Sequence, residues 1–435
     1  MKRELTARQM AMVAVGGSIG TGLLLGSGAA IQIAGPAVIL TYVLAALISW
    51  TVALALGEMA SAHPAAGSFG VYAELYLNDW AGFVARYGYW LSVVIAIGSE
   101  LVAVDTYMSA WFPNAPPAFW MIVFGLFLLV VNLFSVGHYG TFEYWFALIK
   151  VVTIFAFIVI GTALLLGGKA YPQYTHHGGW APHGWSAALL AISFGLYSFL
   201  GIEMVAVSSG EARSPLEIAR ATRIAFGTLA FVYVGAIAVL VGVMPWKNAG
   251  IAESPFVTVF HLARIPAAGF IMNVVVVTAA LSGANASLYV TARMLFSLAR
   301  SGYAPRGMGR LNSQGVPMRA LLASLVGIVI AIFFRLRAPE KAFLYMINVS
   351  LVGGMLAWLI SLLAHVRFRA KITPEQLSQL GLRSPLGAVG SLLGFVAVVA
   401  AVGCTWWVTE SRIAALSAVF YLLILTAGYF LARGK

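Results

Sequence analysis

A single cysteine, Cys404, occurs in 435 residues, and it lies inside an apolar run. Neither a disulfide framework nor a cysteine-based metal site can be built from it, so redox chemistry is excluded as the main function. Charge is scarce too: Asp, Glu, Lys and Arg make up 9% of the chain, against about 25% in an ordinary soluble domain. No nucleophile–base pair stands out within the apolar runs, which argues against an intramembrane enzyme. His176, His177 and His183 cluster between two runs, but no carboxylate or cysteine stands close by, so they read as an exposed polar loop; neither metal nor cofactor is expected.

What the chain has in excess is hydrophobicity, 61% of residues with a mean hydropathy of +0.93, so its solvent is the lipid bilayer. Apolar runs of spanning length, roughly 20 residues each, fall at 10–34, 36–61, 83–111, 117–136, 143–167, 186–209, 221–244, 267–300, 318–336, 342–367, 386–407 and 411–432. The expected fold is therefore an all-α membrane protein of twelve transmembrane helices. Trp111, Trp120, Trp246, Trp406 and Trp407 stand at predicted span ends, as interfacial anchors do. MKRELTARQM leads through a glycine-rich stretch without a cleavage motif to a second apolar run, and reads as the approach to helix 1 rather than a signal peptide.

The net charge of +12 sits in the loops and does not imply a nucleic-acid partner. With both termini placed in the cytoplasm, seventeen of the 26 Lys and Arg residues fall inside, seven outside, and Lys150 and Arg293 within helices. That asymmetry sets the expected orientation.

Two spans carry unusual sequence at their centres: GGSIGTG at Gly16–Gly22 in span 1, and FGLYSFLGIE at Phe194–Glu203 in span 6. Paired interruptions at corresponding positions of two repeats point to a transporter's binding site. They divide the chain into five-helix repeats at 10–167 and 186–367, with 386–432 as two additional helices. One packing face does not need Gly16, Gly17, Gly20 and Gly22 within seven residues, so unwinding is expected there.

An unwound segment frees N–H groups on one half-helix and carbonyls on the other, partners for a carboxylate and an ammonium. An amino acid carries both. The carboxylate is assigned to Gly20, Thr21 and Gly22, with the hydroxyls of Ser18 and Thr21 as further donors, and the ammonium to carbonyls near Tyr197, Ser198 and Leu200. Glu100 and Asp105 in span 3, Lys150 in span 5 and Glu203 in span 6 are ionisable groups inside spans and hence functional candidates. Lys150 and Glu203 are candidates for proton coupling, because a buried lysine can release its proton and so replace a sodium ion. Glu100 is placed at the substrate, and Asn285 and Ser287 of span 8 are expected to face the pocket. Glu58, Glu143, Glu211 and Arg293, at span ends, read as helix caps or gate contacts.

At these motifs the sequence resembles the amino acid/polyamine/organocation superfamily, and within it the bacterial amino acid transporters of lysine, aromatic amino acids, proline and 4-aminobutyrate. The likeness covers nearly the whole chain, through GGSIGTGLLLGSG at Gly16–Gly28, ALGEMASAHPAAGSFGVYAELYL at Ala55–Leu77, EYWFALIKV at Glu143–Val151, YSFLGIEMVAVSSGEARSP at Tyr197–Pro215 and NVVVVTAALSGANASLYVTARMLFSLARSGYAP at Asn273–Pro305. The resemblance implies a LeuT-type fold with discontinuous helices 1 and 6. It implies an aromatic gate at Tyr197, as in the arginine/agmatine antiporter, with Phe199 as a second candidate. It also implies that Lys150 occupies the position where sodium binds in sodium-coupled relatives. Leu24 in place of a common phenylalanine, Ala219 in place of a common proline and a short N-terminal tail depart from the pattern.

The expected function is secondary active L-amino acid permeation in a bacterial inner membrane, by proton symport, with exchange or polyamine transport as alternatives on the same fold. The expected partners are an L-amino acid, H+ and the bilayer.

Overall fold

A computed structural model describes residues 5–65, 68–133, 139–167, 173–251, 254–262, 268–312 and 315–433; side chains of 139–143, 261–262, 268–269, Glu410 and Arg433 are not described, which leaves the expectation for Glu143 outside. In chain order the helices are α1 (Ala7–Ser18), α2 (Thr21–Leu24), α3 (Gly26–Ala34), α4 (Val38–Ala62), α5 (Ser68–Tyr76), α6 (Asp79–Trp111), α7 (Phe119–Leu133), α8 (Tyr139–Leu166), α9 (Ser186–Leu190) and α10 (Ile192–Phe199). They continue with α11 (Met204–Val207), α12 (Pro215–Val243), α13 (Pro255–Leu262), α14 (Ala268–Arg300), α15 (Met318–Ser324), α16 (Val326–Arg337), α17 (Ala342–Lys371), α18 (Pro374–Ser378), α19 (Gly387–Cys404) and α20 (Arg412–Arg433).

Helix starts follow local chemistry. Thr6 accepts from Gln9 N–H while the Gln9 side chain accepts from Thr6 N–H, a capping box ahead of α1. Asn78 caps α6, and Ser214 with Pro215 at the first helical position opens α12. Among the described residues, ten helical stretches are long and apolar enough to cross a bilayer; α3 and α4 form one of them, and α7 is apolar but shorter.

Helix α6 is the axis of the molecule, lying against α14, α16 and α17, and 83% of its apolar window is buried. The corresponding shares for α8 and α20 are 22%, and their outer faces carry Trp145, Ile149, Val152, Phe155, Phe420 and Leu423 to the lipid. Such a burial contrast is what a bundle in an apolar solvent requires, since packing rather than hydrophobicity holds the helices together.

Both expected interruptions are real breaks in the backbone. α1 stops at Ser18, and Gly20 is extended (φ −137°, ψ −154°) before α2 begins. α10 stops at Phe199, Leu200 is extended, and Gly201 has φ +110°, a conformation open to glycine and strained for other residues. A β-carbon at Gly201 would also stand 2.6 Å from the Ser18 hydroxyl, so the two breaks lie against each other. At one end of the bundle the chain entering α1 pairs with the chain leaving α11. Leu5 N–H donates to Glu211 O, Arg213 N–H to Leu5 O, and Ala7 N–H to the Glu217 carboxylate.

Candidate substrate site

Where the breaks meet, the protein encloses a cavity of about 50 Å³. That is room for about four waters at 10–15 Å³ each, so the conformation is closed tightly around its centre. α1 and α2 contribute Gly17, Ser18 and Gly22; α10, α11 and the unwound chain between them contribute Tyr197, Leu200, Gly201, Glu203 and Met204. Ser287 comes from α14 and Ser350 from α17, while α6 presents Tyr89, Ser92, Val93, Ala96 and Glu100. Each of these five lies three or four positions from another of them, so they share one face of a continuous helix.

Glu100 is the most consequential of them. Its two oxygens accept the Thr21 N–H at 3.2 and 3.3 Å, at the start of α2, where the sequence placed the substrate carboxylate. Gly20 is needed here because a β-carbon on it would collide with Glu100 Oε1. Ser18 Oγ is buried without a hydrogen-bond partner, a costly state in an apolar interior and one that a polar guest relieves.

Lys150 lies behind α1 rather than in the cavity wall. Its Nζ donates to Gly16 O at 2.9 Å and it is 2% exposed. Because α1 ends two residues later, the Gly16 carbonyl is among those left over at a helix C-terminus, where a cation is favoured. Lys150 is also near enough to Glu100 for their charges to attract.

Glu203 is held on both oxygens. Oε1 accepts Gly201 N–H at 3.0 Å, Oε2 accepts Trp358 Nε1–H at 3.1 Å, and Tyr89 adds its hydroxyl. It thereby pins the unwound chain to α17 and α6. Tyr197 leans over Gly22, where a β-carbon would fall 2.8 Å from its ring, and its hydroxyl meets Ser99 Oγ at 2.9 Å.

Of the residues expected to bind substrate, Ser18, Gly22, Glu100, Tyr197, Leu200 and Ser287 line the cavity, and Gly20 and Thr21 stand behind Glu100. Three others point elsewhere. Ser198 donates to Phe194 O and meets Tyr42 OH; Phe199 packs edge-on against Tyr233 at 4.9 Å; Asn285 accepts from Asn132 Nδ2 at 2.7 Å. Helical phase is the reason, since neighbours in sequence are turned about 100° apart on a helix. Asp105 lies at the far end of α6, bonded to Arg335 Nε at 2.8 Å.

The profile of the Amino acid permease family matches residues 9–434. The chain is similar to the gamma-aminobutyric acid permease of Bacillus subtilis (38% identity, 87% of this chain and 82% of that protein) and to the aromatic amino acid transport protein AroP of Escherichia coli K12 (36% identity, 85% and 82%). It is also similar to the uncharacterized amino acid permease YtnA of B. subtilis, at 35% identity over 99% of this chain and 95% of that protein. A match of this extent, on a bundle whose two broken helices enclose a polar cavity, shows that the chain belongs to the amino acid permease family within the amino acid/polyamine/organocation superfamily, a family of membrane transporters and not of enzymes.

Proposed function

We propose that this chain is a secondary active L-amino acid permease of the bacterial inner membrane, taking up substrate with a proton by alternating access. In this reading it has twelve spans, α1–α3 being the first and α9–α11 the sixth, in a LeuT-type arrangement of two five-helix repeats, with α19 and α20 outside them and both termini in the cytoplasm.

The observation that carries the reading is the meeting of two helix breaks at one cavity lined by the buried, unpartnered hydroxyl of Ser18. The substrate carboxylate takes the N–H groups at the start of α2, displacing Glu100 from Thr21, and Ser18 donates beside it. The ammonium takes carbonyls of the unwound chain near Tyr197 and Leu200, and the Tyr197 ring covers the substrate. Charge supports proton coupling. Glu100 and Glu203 are carboxyl groups buried in the same region as Lys150, and only a protonated Lys150 supplies a positive charge to offset them, so a zwitterion entering this region is better balanced once Lys150 has taken up a proton. Lys150 is the proposed carrier, because its proton decides whether α1 is held at Gly16. Two of the three named relatives are a gamma-aminobutyric acid permease and an aromatic amino acid transport protein, for molecules that share only a carboxylate and an ammonium, which fits recognition through the backbone.

Competition for uptake in proteoliposomes tests the substrate class: zwitterionic amino acids inhibit and a simple polyamine competes poorly. Inhibition by the polyamine with none by any zwitterion would reverse the assignment. An imposed pH gradient without sodium tests the coupling, and counterflow without the gradient separates symport from exchange.

A further inference from the structure

Ser99 does not line the cavity, yet it is wholly buried and bonded to the residue that covers it. Its one hydroxyl proton goes to the Ala96 carbonyl at 2.8 Å, so at the 2.9 Å contact with Tyr197 the phenol donates and Ser99 accepts. The next residue, Glu100, is turned about 100° round the same helix and accepts the Thr21 N–H at 3.2 and 3.3 Å. Two consecutive residues of α6 thus hold one end of each interrupted helix, α10 through Tyr197 and α2 through Thr21. The third side of the triangle is closed by the Tyr197 ring against Gly22. α6 itself is anchored: Ser92 Oγ donates to Ser350 O and Ser350 Oγ to Ser92 O, tying it to α17.

We infer that Ser99 and Glu100 form a two-point latch that fastens both half-helices to α6 in the closed protein, with Ser99 the positioning residue for Tyr197. The inference rests on the reading of Tyr197 as the cover of the transport site. Because the two contacts share one turn of a fixed helix and the held segments touch each other, release of one half-helix loosens the other. Serine suits the position because its hydroxyl satisfies both the helix carbonyl and the phenol. Alanine would remove the α6 acceptor of the Tyr197 hydroxyl and leave it with Ser350 of α17 alone.

Hydrogen exchange of the full chain in lipid nanodiscs, read on peptides covering 19–34 and 186–200, tests the latch without need of a substrate. Ser99→Ala is expected to exchange about tenfold faster in both peptides, the fold-change that one buried hydrogen bond is worth. Ser99→Thr should stay near the wild type, and Ser99→Ala with Glu100→Gln should barely exceed the faster single variant. Faster exchange confined to 186–200, or Ser99→Thr as fast as Ser99→Ala, would overturn the proposal. Uptake of a tritiated L-amino acid mixture is measured in parallel, where Ser99→Ala should raise KM more than it lowers the maximal rate. A wild type that takes up none of the mixture would retire the permease reading, and the exchange data would still decide the latch.

Discussion

Two regions of this molecule bury glutamates, and they satisfy them differently. At the junction of α4, α17 and α19, Glu58 accepts from His365 Nε2 at 3.1 Å, from Arg369 Nη2 at 2.9 Å and from Ser384 N–H at 2.9 Å, and its other oxygen lies 2.8 Å from Arg369 Nε. His365 in turn is bonded to Ser391 Oγ at 2.7 Å. The glutamate there faces an arginine as an ion pair, with a histidine and a backbone N–H beside it. In the cavity, Glu100 has the Thr21 N–H and a lysine charge nearby, and the Ser18 hydroxyl on the same cavity is unpartnered. A buried carboxylate in direct contact with an arginine fastens helices; one held by a backbone N–H at the edge of a cavity can exchange that partner for a visitor.

The contrast is sharpest in stability. Glu58→Ala removes the common acceptor of His365, Arg369 and the Ser384 amide, and is expected to cost about 3–5 kcal/mol, the usual penalty for breaking a buried pair. Thermal unfolding of the detergent-solubilised protein should show it, whereas Glu100→Gln should unfold near the wild type. Equal losses from the two substitutions would erase the distinction.

In the cavity region the expected losses are of transport. Lys150→Ala should abolish accumulation driven by a pH gradient while part of the counterflow survives. Accumulation at the wild-type level, or a wild type that needs sodium, would make Lys150 a structural tie to Gly16. Next in size, Tyr197→Ala should weaken uptake and Tyr197→Trp should be better tolerated; wild-type rates from both would remove the cover. The smallest effects belong to residues that face away. Asn285→Ala loses one hydrogen bond, about 1 kcal/mol in unfolding, and should leave the uptake KM unchanged. A large change in KM there would bring Asn285 back into the site.

The parts legible in sequence were those whose chemistry is local. Glycines packed into seven residues announce a break wherever they lie, and a lysine in an apolar run needs an acceptor, which the adjoining break supplies at Gly16. What stayed illegible depends on phase and distance. Ser198 and Phe199 follow Tyr197 in the chain but turn away from the cavity with the helix. Glu58 reads as a cap or gate residue because His365 and Arg369 lie some three hundred positions further on. The α6 stripe from Tyr89 to Glu100 was detectable in principle, as residues spaced three and four apart leading to a buried glutamate. Trp358 offers a similar signal, an indole N–H in a buried span that requires an acceptor.

The break at Gly201 has a consequence for how such a protein can change. Gly20, Gly22 and Gly201 each sit where a β-carbon would strike Glu100, Tyr197 or Ser18, so the backbone side of the cavity admits almost no variation. The opposite wall is a regular helix, on which Val93 and Ala96 can be exchanged without disturbing a single main-chain turn. Selection for a new cargo would therefore travel along α6, leaving the two backbone breaks untouched.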